Sequence, residues 1–355
     1  MIALNKLNLL FEKYHTDSIL FTNEKEIYYL TNFEFPEFWI LATKHNDIYL
    51  LCSKMIENQV KKFFSENKYN MYLLTNNPYE NISNILHTNK IYSLLVDTEN
   101  ITANNFMRLE NSLINNAIHI IKGVGILNDI RLSKNNNEIS NIKSACKITT
   151  EICNVVKNEL KIGLSELDIY YMIIELFAKK KVLCSFRPIV ASGENSANPH
   201  HKSSNRKIKN NDVIVLDIGC IYKNYHSDLT RTYFLGNPNA EFMKIKSIIQ
   251  ETISIVTNNI KIGSSISYVS KIAKKFISFK GYEKNFIHSL GHGIGLEIHE
   301  APFLLCSDSK NIFKENSTFT IEPGIYIKNN FGVRIEDTLL LTVNGLKNLT
   351  EKALY

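Results

Sequence analysis

The stretch VIVLDIGCIYKNYHSDLTRTYFL, residues 213–235, predicts two apolar strands joined by a turn at YKNY. Asp217 lies inside the first apolar run, where a carboxylate is costly to bury without a compensating partner. Asp228 follows eleven residues later, and the midpoint between the two acids falls at Tyr222 and Lys223, inside the predicted turn. A hairpin centred there places the two carboxylates opposite each other, with Cβ atoms about 5 Å apart. Such a pair repels unless a positive charge lies between the two groups.

The stretch STFTIEPGIYIKNNFGVRIEDTLLLT, residues 317–342, has the same form. Glu322 and Glu336 stand at the ends of apolar runs and are centred on residue 329, within the predicted turn NNFG. A second hairpin therefore brings a second pair of acids face to face.

The two hairpins belong to an internal repeat of about 100 residues, which is marked by Lys-Ile-Gly at 161–163 and again at 261–263. Each copy of the tripeptide separates two segments of helical periodicity. These predicted helices span 138–160 and 165–180 in the first copy, and 240–259 and 265–279 in the second. The predicted strand pairs that follow are 213–219 with 228–235, and 318–322 with 333–342. The order helix, helix, strand, strand occurs twice, which indicates a duplicated domain.

A duplicated fold brings the two acidic hairpins together across a pseudo-twofold axis. Their four carboxylates carry a formal charge of −4, which two divalent cations would balance. His292 is a candidate fifth ligand because Gly291 and Gly293 on either side of it let the backbone approach a bound group closely. One imidazole among carboxylates suits Mn, Co, Fe or Zn.

Other catalytic motifs do not fit this sequence. The glycines at 291, 293 and 295 do not open a helix after a strand, so they do not indicate a dinucleotide site. The segment beginning His299-Glu300 lacks the second histidine of a zincin helix, and the chain has no G-x-S-x-G motif.

The first part of the chain alternates helical and strand periodicity, which predicts an α/β domain with a mixed sheet. Predicted helices span 4–14, 54–68 and 102–114, and predicted strands span 17–22, 38–43, 47–52, 71–75 and 91–97. Periodicity is lost near 126–137, so we expect domains at 1–126 and 127–355.

Composition argues against several classes of function. A net charge of +6 is spread over 41 basic and 35 acidic residues without a basic block, so nucleic-acid binding is not expected. No apolar run approaches the roughly 18 residues of a membrane span, and the N-terminal segment is too polar for a signal peptide. The six cysteines form no C-x-x-C pair. We therefore expect a cytoplasmic protein with no membrane or nucleic-acid partner.

Five segments resemble, in order and spacing, the metallopeptidase family that includes Xaa-Pro aminopeptidases, Xaa-Pro dipeptidases (prolidases) and methionine aminopeptidases. They are ASGENSANPH (191–200), LDIGCIYKNYHSDLTRT (216–232), HSLGHGIGLEIHE (288–300), TIEPGIYI (320–327) and GVRIEDTLLLT (332–342). The N-terminal part, including LFTNEKEIYYLTNF at 20–33, resembles the creatinase/prolidase-type domain. Methionine aminopeptidases lack that domain, which favours the proline-directed branch.

The resemblance implies an α+β protein whose catalytic domain has the pita-bread fold. By the same match the metal ligands are Asp217, Asp228, His292, Glu322 and Glu336, with Asp228 and Glu336 bridging two divalent ions. Glu322 is the implied general base, assisted by His200 and His299. The residues implied to bind substrate are His200, His288, His299 and Arg334.

The activity that the resemblance implies is release of the N-terminal residue from peptides with proline second, as in an Xaa-Pro aminopeptidase. The alternatives are an Xaa-Pro dipeptidase, a creatinase-like amidinohydrolase, and a non-catalytic binding protein built on the peptidase fold. Relatives of the last two kinds have incomplete ligand sets, whereas this chain keeps all five. Manganese is the preferred metal, with Co, Zn or Fe as alternatives, and a homodimer is expected.

Overall fold

The computed structural model describes residues 4–65, 69–75, 77–308 and 311–354. The chain divides into two compact units, residues 1–130 and 131–355. The last three residues of the helix predicted at 54–68 lie outside the described residues. The domain limits predicted from periodicity, 1–126 and 127–355, stay a prediction.

The first unit is a six-stranded mixed sheet with helices, in the order β4-β3-β2-β1-β5-β6. Strands β1, β2 and β3 pair antiparallel, whereas β5, β6 and β4 join the sheet in parallel. The strands are β1 Ser18–Phe21, β2 Phe38–Thr43, β3 Ile48–Cys52, β4 Asn70–Leu73, β5 Ser93–Asp97 and β6 His119–Gly123. The helices are α1 Leu4–Tyr14, α2 Glu24–Thr31, α3 Glu57–Phe63, α4 Pro78–Thr88 and α5 Ala103–Ile114, and a short α6 follows at Asn128–Arg131.

The predicted α/β sheet of this unit is confirmed, with differences in detail. Helices α2 and α4 and strand β6 were not predicted, and the helix predicted at 54–68 begins as a 3₁₀ turn at Lys54–Ile56. Strands such as β3 are buried along their whole length, which explains their continuous apolar sequence. No helix in the described part of the chain has both the length and the apolar character to cross a membrane.

The second unit contains two long helix pairs and several short sheets. The helices are α7 Asn136–Glu159, α8 Glu166–Lys179, α9 Ala240–Asn258 and α10 Ile266–Phe279. The strands of its first half are β7 Leu183–Cys184, β8 Ile189–Ser192, β9 Val213–Ile218, β10 Cys220–Tyr222, β11 Tyr225–His226 and β12 Leu229–Phe234. Those of its second half are β13 His292–Gly293, β14 Glu300–Phe303, β15 Thr318–Ile321, β16 Gly324–Tyr326, β17 Gly332–Arg334, β18 Asp337–Thr342 and β19 Gly345–Asn348.

The two halves repeat each other down to single hydrogen bonds, which confirms the duplication. Gly163 and Gly263 both adopt positive φ, +92° and +87°, between their paired helices. The Gly163 N–H donates to the Ile208 carbonyl at 2.9 Å, and the Gly263 N–H donates to the Phe313 carbonyl at 2.8 Å. Each glycine is needed at its position because the left-handed region is open to it at no steric cost.

The strand pairs carry the four acids, but only one pair has the predicted register. Strands β15 and β18 pair Ile321 with Asp337, so Glu322 and Glu336 follow directly opposite each other, as predicted. Strands β9 and β12 pair Asp217 with Thr230, so the prediction that Asp217 lies opposite Asp228 is wrong. The hairpin turns at Lys223 and Asn224, which both have positive φ (46° and 65°). The turn lies at the centre of the predicted segment YKNY, but the midpoint of the two acids is one residue before that centre, which offsets Asp228 from Asp217 by two residues.

The two halves meet along β12 and the β17–β18 segment. The Glu336 N–H donates to the Thr230 carbonyl at 3.1 Å, and the Thr338 hydroxyl donates to the Asp228 carbonyl at 2.7 Å. Arg231 is fully buried at this junction and pairs with Asp337 at 2.7 Å. These contacts hold the acids of both halves at the centre of the unit.

Candidate active site

A single cavity of about 590 Å³ in the second unit is lined by all nine residues that the sequence predicts to be functional. These are Asp217, Asp228, His292, Glu322, Glu336, His200, His288, His299 and Arg334. The remaining lining residues, not predicted from the sequence, are Phe186, Arg187, Ile189, Pro199, Ser289, Ile298 and Phe303. The volume is in the range of sites for small molecules and short peptides.

The acids converge around the His292 imidazole. One ligand atom each from Asp228, His292 and Glu336 lies within 4.8 Å of the other two. The His292 Nε2 atom is 3.6 Å from an Asp228 oxygen and 3.6 Å from a Glu322 oxygen. Side chains from both halves of the duplication are thus close enough to bind a common ion.

Burial and mutual repulsion make this cluster unfavourable without a cation. Burial first, and then the neighbouring carboxylates, raise the pKa of Asp228 and of Glu336 well above the usual values, and burial raises the pKa of Glu322 to about 8. The Oδ1 atoms of Asp217 and Asp228 are buried without a hydrogen-bond partner among the described residues. Unsatisfied buried carboxylate oxygens beside an imidazole are the donor set that divalent transition metals accept. The residues present therefore fit a metal site.

His292 is held in the form that a metal ligand requires. Its Nδ1 atom is 3.1 Å from the Gly293 carbonyl, so Nδ1 donates there and the Nε2 lone pair faces the carboxylates. Burial lowers the pKa of His292 to about 3, so the ring is neutral at physiological pH. Gly293 has no room for a side chain, because a Cβ atom there would lie 2.3 Å from the Ala301 carbonyl oxygen.

Arg334 is buried beside the acids, and its guanidinium is hydrogen-bonded to neighbouring side chains. Its guanidinium donates to Asp217 Oδ2 at 2.6 Å, to the Tyr326 hydroxyl at 2.8 Å and to Thr230 Oγ1 at 3.1 Å. The Tyr326 hydroxyl is in turn 3.0 Å from His288 Nε2. Because His288 Nδ1 lies 2.8 Å from the Ser289 carbonyl, Nδ1 carries the proton and Nε2 accepts from Tyr326.

Two residues of this network were missed in the sequence. Tyr326 links Arg334 to His288, and Thr230 donates its hydroxyl to Glu336 at 2.7 Å. Both lie in the two predicted hairpin segments, Thr230 in 213–235 and Tyr326 in 317–342. The signal that could have found them is strand alternation: Tyr326 is four residues after Glu322 and Thr230 two residues after Asp228.

The loop that carries His200 is organised by Glu166, the first residue of α8. The Glu166 side chain is fully buried and accepts hydrogen bonds from backbone N–H groups of Ser192 and Ser204, at 2.7 and 2.9 Å. It also accepts bonds from both serine hydroxyls and from Asn195, and its Oε2 lies 2.8 Å from His201 Nε2. Burial opposes ionisation, but these bonds hold the pKa of Glu166 below the usual value. His201 thus supports the loop through its contact with Glu166.

We predict that Glu166→Gln lowers the free energy of unfolding by about 3 kcal/mol. Each carboxylate oxygen accepts a backbone N–H, so in either orientation the amide of Gln opposes a backbone donor. Denaturant unfolding measures the loss, and Glu175→Gln on the exposed face of the same helix is the matched control, with an expected change within about 0.5 kcal/mol. Equal stability of the two variants would contradict this account.

His299 is anchored by its neighbour Glu300 on β14. Glu300 is buried and pairs with Lys134 at 2.9 Å and with Arg131, both of which come before α7. The His299 ring packs edge-to-face on His292, with ring centroids 4.2 Å apart. A buried pair of this kind is costly to break from one side, so it fixes the strand that presents His299.

The chain matches known families over nearly its whole length. Residues 140–343 match the sequence model of metallopeptidase family M24, and residues 4–133 match that of the creatinase/prolidase N-terminal domain. The chain belongs to metallopeptidase family M24. The resemblance seen in the sequence is confirmed, and the chain is an enzyme, a metallopeptidase that uses divalent metal ions.

Three relatives illustrate the similarity. A Xaa-Pro dipeptidase from Pyrococcus furiosus is 36% identical over 270 residues, which are 74% of this chain and 76% of that protein. The solved structure of a Xaa-Pro dipeptidase from Bacillus anthracis superposes with a TM-score of 0.91 at 30% identity, covering 98% of this chain and 96% of the other. An X-Pro aminopeptidase from Thermotoga maritima gives a TM-score of 0.85 at 29% identity, covering 96% and 97%. The match to such structures confirms the pita-bread fold and the α+β class.

Proposed function

We propose that this M24 peptidase cleaves the bond between a free N-terminal residue and a following proline. The observation that carries the proposal is the convergence of four carboxylates and one imidazole in one cavity. We assign Asp217, Asp228, His292, Glu322 and Glu336 as the residues that hold two divalent ions, with manganese preferred. When bound, such ions supply Lewis acidity and lower the pKa of a water molecule toward neutrality.

The chain's own side chains supply proton transfer. Glu322 faces the cavity between His292 and His288, with oxygens 3.6 Å from His292 Nε2 and 4.0 Å from His288 Nδ1. It takes a proton from the attacking water and later gives one to the leaving nitrogen of proline. His200 and His299 line the cavity and donate to the carbonyl oxygen as it gains negative charge.

Proline recognition follows from the apolar part of the lining. Proline in a peptide bond has no N–H, so its nitrogen needs no hydrogen-bond acceptor from the protein. Phe186, Ile189, Ile298 and Phe303 provide apolar surface in the same cavity as the acids. The acids meet the protonated amine of the first residue, which limits cleavage to the first peptide bond.

Two versions of this activity differ in the length of the substrate. The names of the Pyrococcus and Bacillus relatives favour a Xaa-Pro dipeptidase. The similarity to the Thermotoga enzyme favours the Xaa-Pro aminopeptidase expected from the sequence. The homodimer and the cytoplasmic location stay predictions of the sequence.

A substrate panel tests the proposal. With added Mn²⁺, we expect Ala-Pro or Ala-Pro-Ala to release alanine at least about tenfold faster than Ala-Ala, in kcat/KM. Preference for Ala-Pro identifies the dipeptidase, and preference for Ala-Pro-Ala identifies the aminopeptidase. Faster cleavage of Ala-Ala than of both proline peptides would overturn the proline specificity.

A further inference from the structure

Arg187 is a cation that the mechanism above does not use, although it lines the same cavity as the acids. Its guanidinium lies over the ring of Tyr170 on α8, 5.3 Å from the ring centroid. Within the described residues it makes no hydrogen bond and no ion pair. A ring contact orients the guanidinium while leaving its N–H donors available.

Arg334 and His288, two other basic groups of the cavity, already have partners. Arg334 already donates to Asp217, Tyr326 and Thr230. Both ring nitrogens of His288 also have partners, since Nδ1 lies 2.8 Å from the Ser289 carbonyl and Nε2 lies 3.0 Å from the Tyr326 hydroxyl. Arg187 is therefore the side chain of permanent positive charge that remains open to the cavity.

We propose that Arg187 binds a carboxylate of the substrate, namely the C-terminal carboxylate of a short peptide. This proposal rests on the peptidase function proposed above and defines its substrate class. A carboxylate that enters the cavity loses part of its hydration, so the far end of a short peptide is bound better beside a cation of its own. A planar guanidinium matches a carboxylate with two parallel hydrogen bonds. Arg187 thereby favours substrates whose chain ends soon after proline.

The experiment compares acids with their amides in the Mn²⁺-loaded enzyme. We expect kcat/KM for Ala-Pro to exceed that for Ala-Pro-amide by about tenfold, the effect of one charge-assisted contact at an exposed site. Arg187→Gln is expected to reduce this ratio to about one while changing the rate for the amide less than about twofold, and Arg187→Lys to retain part of it. An unchanged ratio in Arg187→Gln, or an equal loss for both substrates, would overturn the proposal.

A matched control is Arg108→Gln in the first unit. Arg108 also lies 5.3 Å from a tyrosine ring centroid, that of Tyr79, but does not line the cavity. It should leave the acid-to-amide ratio unchanged. Metal content is measured for every variant.

Further substrates distinguish the proposed proline specificity from carboxylate binding by Arg187. They also distinguish a C-terminal carboxylate from an acidic side chain. If Ala-Ala is cleaved faster than Ala-Pro, the proline specificity fails, and the ratio of Ala-Ala to Ala-Ala-amide still tests Arg187. A second comparison uses Ala-Pro-Asp-amide and Ala-Pro-Ala-amide. If kcat/KM depends on Arg187 for the aspartate peptide, but the ratio of Ala-Pro to Ala-Pro-amide does not, then Arg187 binds an acidic side chain and not the C-terminus. That result overturns the proposal. Cleavage of none of these peptides overturns both proposals.

Discussion

Glu322→Gln is expected to lower kcat by about 10³-fold, within the range for removal of a general acid–base group. The substitution keeps the shape of the side chain and the hydrogen bond from the Glu322 N–H to the Leu290 carbonyl at 2.9 Å. It removes the group that accepts the proton of the attacking water. Steady-state hydrolysis of Ala-Pro measures the loss.

Metal content decides how this loss is interpreted, because Glu322 also faces His292 across the cluster. Bound metal is therefore measured by elemental analysis in the same preparations. Glu315→Gln, an exposed glutamate of the same half, is the control and should keep full activity. A fully metal-loaded Glu322→Gln enzyme with unchanged kcat would exclude Glu322 as the base.

Asp228→Asn is expected to change stability in opposite directions with and without metal. In the metal-free protein, burial and three neighbouring acids raise the pKa of Asp228 well above its usual value, and such a shift destabilises the fold at neutral pH. A neutral Asn removes that cost, so the metal-free variant should be more stable than metal-free wild type by about 1 kcal/mol. A metal at 100 times its dissociation constant stabilises wild type by about 2.7 kcal/mol. The variant should lose most of that gain.

Thermal unfolding with excess Mn²⁺ and with a chelator measures both predicted changes in stability. Asp97→Asn is the matched control, because Asp97 is also a buried aspartate but accepts backbone N–H bonds from Glu99, Gly125 and Ile126 in the first unit. It should destabilise the protein equally in both conditions. An equal metal-induced rise in the melting temperature of wild type and Asp228→Asn would show that Asp228 does not hold the ion.

How far the site could be predicted from the sequence depended on whether local geometry decides each contact. Glu322 and Glu336 face each other as predicted, because one hairpin register continues from β15–β18 through β16–β17. For Asp217 and Asp228 the sequence correctly predicts a common site but predicts the wrong strand register. The turn at Lys223 and Asn224 lies in the centre of the predicted segment YKNY, but the two acids are not equally distant from it, so Asp217 pairs with Thr230 and not with Asp228.

Contacts between distant segments were beyond a reading of the sequence. Glu166 accepts bonds from residues 26 to 38 positions away, and Arg334 reaches Asp217 across 117 positions. Neither contact produces a local pattern, so the sequence signalled neither the role of Glu166 nor the ion pair between Arg334 and Asp217. The N-terminal sheet was easier, because its strands are continuous apolar segments.

The two halves of the second unit repeat one order of helices and strands, as expected of two copies of one ancestral segment. Neither half alone contains the full set of acids, since one provides two aspartates and the other two glutamates. An ancestor of half the length would have had to form a dimer before it could hold two metal ions. The two copies would have met at the junction that β12 and β18 now form within one chain. Within one chain the two copies are free to differ, as the two aspartates of one half and the two glutamates of the other show.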